Sequence, residues 1–99
     1  MKIVRQKLKI KYNPSFRKNF GDIWDYISKD SIKKADNFKN QLKFKITNLP
    51  NYPFKFRQSY YYKDINIRDM VFKGYTIPYL IDNDKDTIII LDIFKWSKR

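Results

Sequence analysis

The clearest alternation of apolar and polar positions lies near the start of the sequence. From Val4 to Tyr12, Leu8, Ile10 and Tyr12 fall on one side and Lys7, Lys9 and Lys11 on the other. A period of two predicts a half-buried strand with a lysine row facing water. The period then changes. Phe16, Phe20, Ile23, Trp24 and Ile27 recur at helical spacing behind Asn13-Pro14, a pair suited to the cap and first position of a helix. Gly21 lies inside this stripe, where it costs roughly 1 kcal/mol relative to alanine. Ser31 is placed to cap a second helix, two or three residues after the first stops. Its stripe is Ile32, Ala35, Phe38, Leu42, Ile46 and Leu49, and Pro50 ends it. Two amphipathic helices so closely joined form an αα-hairpin whose apolar side needs a surface.

Residues 66–96 supply that surface. Three runs of β-branched and aromatic residues, 67–73, 75–81 and 87–96, are separated by Gly74 and by the Asp/Asn cluster 82–86. This is the signal of a three-stranded meander. Pro78 cannot donate to a ladder, so the second strand is expected to meet a bulge or an unpaired edge there. Residues 51–64 have no clean period and read as a long loop with a short extended piece. Its aromatic content argues against disorder. The predicted order is β-α-α-β-β-β over one domain, 1–99: an α+β fold with a helical hairpin on a mainly antiparallel sheet.

Composition narrows the chemistry. The 99 residues include 22 Lys and Arg against 10 acids, a net charge of +12, with no cysteine or histidine. Every acid is an aspartate. Thiolate and imidazole metal sites are excluded, and the usual general bases reduce to Asp, Lys and Tyr. The charge favours an acidic partner: nucleic acid, an anionic surface or an acidic protein. Residues 1–12 lack the apolar core of a signal peptide, and the longest fully apolar run, 88–91, is too short to span a bilayer. A soluble, cytoplasmic protein without membrane contact is expected. Asp82, Asp84 and Asp86 copy the opening of a calcium loop, but Thr87 replaces its glycine and Ile93 its glutamate, so a hairpin turn is expected.

Several stretches in order resemble the RelE/ParE superfamily of type II toxin–antitoxin toxins. Asp25-Tyr26-Ile27 with Asp30 resembles the end of the family's first helix, and Ala35, Phe38 and Leu42 fit the second. Residues 53–59, PFKFRQS, resemble the family's loop. Residues 66–79, NIRDMVFKGYTIPY, resemble the ParE pattern of Ile-Arg, a short apolar run, Gly-Tyr and a later tyrosine. The resemblance implies a small toxin neutralised by a cognate antitoxin, with an acidic antitoxin segment wrapped on the sheet and helical hairpin. It requires no cofactor.

Two activities compete within the superfamily. RelE-like members cut mRNA on the ribosome without a metal; ParE-like members bind and poison DNA gyrase. The residue inventory favours the ParE reading. Histidine and glutamate are absent. The arginine that usually follows the tyrosine opening the second meander strand is Thr76 here, and no C-terminal extension carries a tyrosine. A nuclease would have to work with Arg68, Lys73, Tyr75 and Lys95, using the cations on phosphate charge. The target-binding candidates are Arg57, Arg68, Lys95, Lys98 and Arg99; the family position of Arg68 and of the C-terminal cations carries that expectation. The plainer readings are an ion pair of Arg68 with Asp64, Asp69 or Asp92, and a frayed basic tail. Tyr60, Tyr61 and Tyr62 are expected to pack the loop onto the sheet in preference to stacking on bases. A toxin that binds its antitoxin but no longer strikes a target is the third reading.

Overall fold

The computed structural model describes residues 8–95. Strand β1 (Lys9–Tyr12) leads into helix α1 (Pro14–Asp30) and helix α2 (Ile32–Thr47). A 3₁₀ turn, Leu49–Asn51, opens the long loop. Strands β2 (Ile67–Phe72), β3 (Tyr75–Asp82), β4 (Thr87–Ile90) and β5 (Phe94–Lys95) follow. The sheet order is β1-β4-β3-β2, with β5 also on β3. All pairings are antiparallel except β1 with β4, which is parallel. The expected α+β architecture is therefore present. Residues 4–7 of the predicted first strand, and Trp96 of the predicted last one, lie outside the described residues.

The helical hairpin is tighter than the sequence predicts. One residue joins the helices, where two or three were expected. Ser31 closes α1 through its N–H to the Ile27 carbonyl (3.1 Å) and opens α2 by accepting the Lys34 N–H on Oγ (3.1 Å). Its extended backbone turns the chain between two regular helices. Asn13 occupies the cap of α1 without a side-chain capping bond, and Pro14 takes the first turn. Pro50 lies within the 3₁₀ turn, after α2 has ended at Thr47. Ile32 is exposed and Trp24 stays outside the packed cluster; the remaining stripe residues pack as the spacing requires. A Cβ on Gly21 would meet nothing within 4 Å, so close packing does not account for that glycine.

Register decides which side chains share a face. Met70 opposite Ile77, Phe72 opposite Tyr75, Tyr79 opposite Ile90 and Ile81 opposite Ile88 all point to the helices. Ile10 and Tyr12 join them from β1. Phe38 of α2 meets both Phe72 and Tyr75 at 5.4 Å between ring centres, and Phe16 of α1 meets Tyr12 at 5.3 Å. This face is the core.

Of the bulge and the unpaired edge expected at Pro78, the structure has the bulge. Leu91 donates its N–H to the Pro78 carbonyl (2.9 Å), and Pro78 has no N–H to return. The ladder breaks there. Tyr79 faces Ile90 while Thr76 faces Phe94, so three steps along β3 match four along its partner. The segment 91–93 between β4 and β5 therefore carries one extra residue; the single strand expected over 87–96 is two pieces. Lys73 and Gly74, with φ of 50° and 85°, form the two-residue turn between β2 and β3. At the other hairpin Asp82 accepts the Lys85 N–H (3.2 Å) and Asp86 is left-handed, so these aspartates build a turn.

Candidate functional site

The loop between α2 and β2 wraps the free edge of β2 and touches both faces of the sheet. Along the edge, Ser59 donates its N–H to Ile67 (2.8 Å) and Asp69 donates to Arg57 (3.1 Å). On the helix side, the hydroxyl of Tyr79 donates to the Pro53 carbonyl at 2.6 Å. Arg68 donates to the Phe56 carbonyl (3.2 Å) and lies 4.7 Å from the ring centre of Phe54. Arg68 forms none of the ion pairs proposed for it. Asp64 caps the N–H of Asn66, and Asp92 accepts from Asn19. The guanidinium holds residues 54–56 in place.

On the opposite face the loop forms a cover. Asp69 points away from the helices and its side chain is fully buried (0% exposed). Its Oδ2 accepts the Tyr60 N–H (3.1 Å) and lies 3.6 Å from Arg57, whose guanidinium stacks 4.0 Å above the Tyr60 ring. Tyr61 meets Phe94 edge-on at 5.0 Å. Phe94 is the cross-strand partner of Thr76, and Thr76 is completely buried. Tyr61 thus packs on the sheet as expected, whereas Tyr60 is mostly exposed.

The sequence candidates fall into two groups. Arg57 and Arg68 stand at the loop end of β2. Lys73, in the β2–β3 turn, lies at the other end with Tyr75 and Lys95, which face each other across β3 and β5. Arg68 is four strand residues from Phe72, roughly 14 Å. One nuclease site made from Arg68, Lys73, Tyr75 and Lys95 is not assembled. Tyr75 and Lys95 line an open cleft against α1, beside Asn19, Asp22 and Tyr26. Lys98 and Arg99 lie outside the described residues.

A second groove runs along the helical hairpin. Phe16, Phe20, Leu42 and Ile46 form its apolar wall, with Arg17, Lys39 and Lys43 at its rim. The lysines were legible in the sequence, but their convergence with Arg17 on one groove depends on how the two helices cross.

Three tyrosines have displaced acidities, and all are displaced upward. Burial raises Tyr79 far above its ordinary value of 10, with Arg68 partly opposing it. Burial raises Tyr12 against the opposing effect of Arg17. Burial, then Asp92 and Asp69, raise Tyr62. A phenol shifted upward is a poorer base near neutrality. It also imposes a pH dependence. The contribution of Tyr79 to stability is fully present below the unfolded pKa of about 10 and is lost as pH rises toward the folded value, by up to about 1.4 kcal/mol per pH unit. Urea midpoints of the native chain are therefore expected to fall between pH 10 and 11.5, and those of Tyr79→Phe to fall less. Equal slopes would remove Tyr79 as the cause.

Residues 10–98 match the model of a family described as ParE toxin of type II toxin–antitoxin systems, parDE. No curated protein sequence is significantly similar to the chain. Among solved structures, the chromosomal ParDE system of P. aeruginosa aligns with a TM-score of 0.73 at 14% identity, over 92% of this chain and 98% of that one. The isolated RelE toxin of E. coli aligns at 0.67 and 12%, over 93% and 87%. The toxin–antitoxin complex RelBE of E. coli aligns at 0.65 and 12%, over 93% and 99%. Among the described residues no helix is long and apolar enough to cross a membrane.

Proposed function

The chain belongs to the ParE toxin family of type II toxin–antitoxin systems, and from that premise we propose that it acts in the cytoplasm by binding and poisoning DNA gyrase, without a catalytic step of its own. The observation that carries this reading over the ribosome-dependent mRNA endonuclease is the burial of Thr76. The nuclease branch usually has an arginine at that position. Here the residue is a threonine with no exposed surface, behind Phe94 and the tyrosine segment. The spread of the remaining cations over two ends of β2, and the use of Arg68 to hold the loop, support the same reading.

The target surface is assigned to the turn end of the sheet, with Lys73 and Lys95; Lys98 and Arg99 follow Lys95 in the sequence. The antitoxin is assigned to the helical groove. An acidic amphipathic segment would bury its apolar side on Phe16, Phe20, Leu42 and Ile46 and meet Arg17, Lys39 and Lys43 with its carboxylates. The likeness to a toxin solved in complex with an antitoxin supports such a partner.

The test is induced expression without antitoxin, with DNA and protein synthesis followed in parallel by pulse labelling. DNA synthesis is expected to fall first. Lys95→Ala together with removal of Lys98 and Arg99 is expected to reduce killing at least about tenfold while leaving antitoxin capture unchanged. A primary fall in translation would establish the nuclease. Growth without either effect would identify a toxin that has lost its target.

A further inference from the structure

Half of the net charge resides in one acid-free stretch. From Asn37 to Lys63 there are six cations, Lys39, Lys43, Lys45, Lys55, Arg57 and Lys63, and no aspartate. The same stretch supplies six large exposed side chains, Phe44, Tyr52, Phe54, Tyr60, Tyr61 and Tyr62, and all are aromatic. Flat apolar rings left in water among lysines are a costly surface for a protein to keep without a ligand.

Where α2 ends and the loop begins, four of these groups, Phe44, Lys45, Tyr52 and Lys55, converge. An open hollow of ≈ 410 Å³ is lined by Phe44, Lys45, Asn48, Asn51, Tyr52 and Lys55. Phe44 and Tyr52 are 68% and 73% exposed. Phe54, beside the hollow, has Arg68 against its ring and remains 45% exposed. The backbone beneath this surface is anchored: Arg68 and the Tyr79 hydroxyl donate to the carbonyls of Phe56 and Pro53, on either side of Phe54. The amides of Asn48 and Asn51 stand at the hollow with both donor and acceptor capacity.

We propose that this hollow is a binding site for single-stranded nucleic acid, with bases stacked on Phe44, Tyr52 and Phe54 and phosphates held by Lys45 and Lys55. Rings for stacking beside ammonium groups for the backbone are the chemistry of sequence-tolerant single-strand binding. A guanidinium behind Phe54 favours a base on the open side of that ring. Amides suit base edges exposed when a strand is unpaired. An acidic peptide without aromatic side chains, such as polyglutamate, would satisfy the lysines but leave the open ring faces without stacking partners. The site lies away from Thr76 and from the turn end of the sheet, and it shares no lining residue with the neighbouring helical groove, so it does not depend on the gyrase reading.

The experiment is fluorescence anisotropy with the full chain and a labelled twelve-nucleotide thymidine oligomer. An abasic oligomer of equal length and charge is measured beside it, with polyglutamate as competitor. The thymidine strand is expected to bind at least about tenfold more tightly than the abasic one. Phe44→Ala with Tyr52→Ala should reduce that preference to what the remaining Phe54 ring supplies, since each stacked base contributes about 5- to 150-fold. Both rings are exposed, so the fold should be unaffected, as an unchanged melting temperature would verify. Lys45→Ala with Lys55→Ala should lower the salt slope by about 1.4 while sparing the preference. Equal affinity for the two oligomers would overturn the proposal and leave only general electrostatic attraction. Displacement of the strand by polyglutamate at equal charge concentration would overturn it in favour of an acidic protein surface. A double-ring variant that binds like the native chain would overturn it as well.

Discussion

Replacing Tyr79 with alanine should lower the unfolding free energy by about 3–5 kcal/mol, a large part of what a domain of this size has. Two losses add in that variant. The ring is fully buried between the core strands and meets Phe56 edge-on at 6.5 Å, so its removal leaves a cavity. Its hydroxyl also holds the Pro53 carbonyl at 2.6 Å, so the loop loses an anchor. Tyr79→Phe separates the two contributions. It keeps the ring and should cost about 1–2 kcal/mol, the range for leaving a carbonyl without its partner. Urea denaturation of the three proteins gives the comparison. If the phenylalanine variant falls as far as the alanine variant, the loop anchor dominates and the packing argument fails.

Arg57 and Asp69 should show an unequal pair of effects. Removing Arg57 strands a fully buried carboxylate that keeps one N–H donor, from Tyr60, and whose Oδ1 has no partner. Arg57→Ala should therefore cost about 3 kcal/mol, which is unusual for a side chain 38% exposed. Asp69→Ala leaves the arginine able to turn into water and should cost clearly less, even though it also frees the Tyr60 N–H. Amide exchange at Tyr60–Lys63 should accelerate in both variants, because both release the cover. The double variant should be close to Asp69→Ala alone. An Arg57→Ala effect below about 1 kcal/mol would place this ion pair among ordinary surface pairs.

The elements were legible in the sequence because each carries its own period. The lysine row of β1, the stripe from Ala35 to Leu49 and the turn at Gly74 depend on neighbours a few residues away. Even the bulge was legible, since a proline without an N–H interrupts a ladder wherever it is placed. Less legible were features that depend on distant pairing. The parallel match of Lys9–Tyr12 with Thr87–Ile90 has no local signature. The shared cap at Ser31 required two helix ends to coincide. The site suffered most. Arg68 and Asp69 are adjacent in the chain and point to opposite faces, so the pair that looked ready to bridge is kept apart by the pleat. Asp69 takes its cation from Arg57, twelve residues earlier, and only the fold of the loop brings them together. Burial of Thr76 depends equally on Phe94 and Tyr61, which no spacing rule connects.

The parallel strand at the edge also sets an order of events during synthesis. β1 is made early, but its partner β4 comes after both helices, the loop and two further strands. At typical translation speeds that interval is roughly 4–15 s. Throughout it Ile10 and Tyr12 have no sheet to join, and the sheet cannot be completed until Thr87–Ile90 has been made. The lysines at positions 9 and 11 then act as guards, since charges along an unpaired strand discourage its association with other nascent chains. A neutral pair such as Lys9→Thr with Lys11→Thr would leave the finished fold almost unchanged and show its effect in the yield of soluble protein.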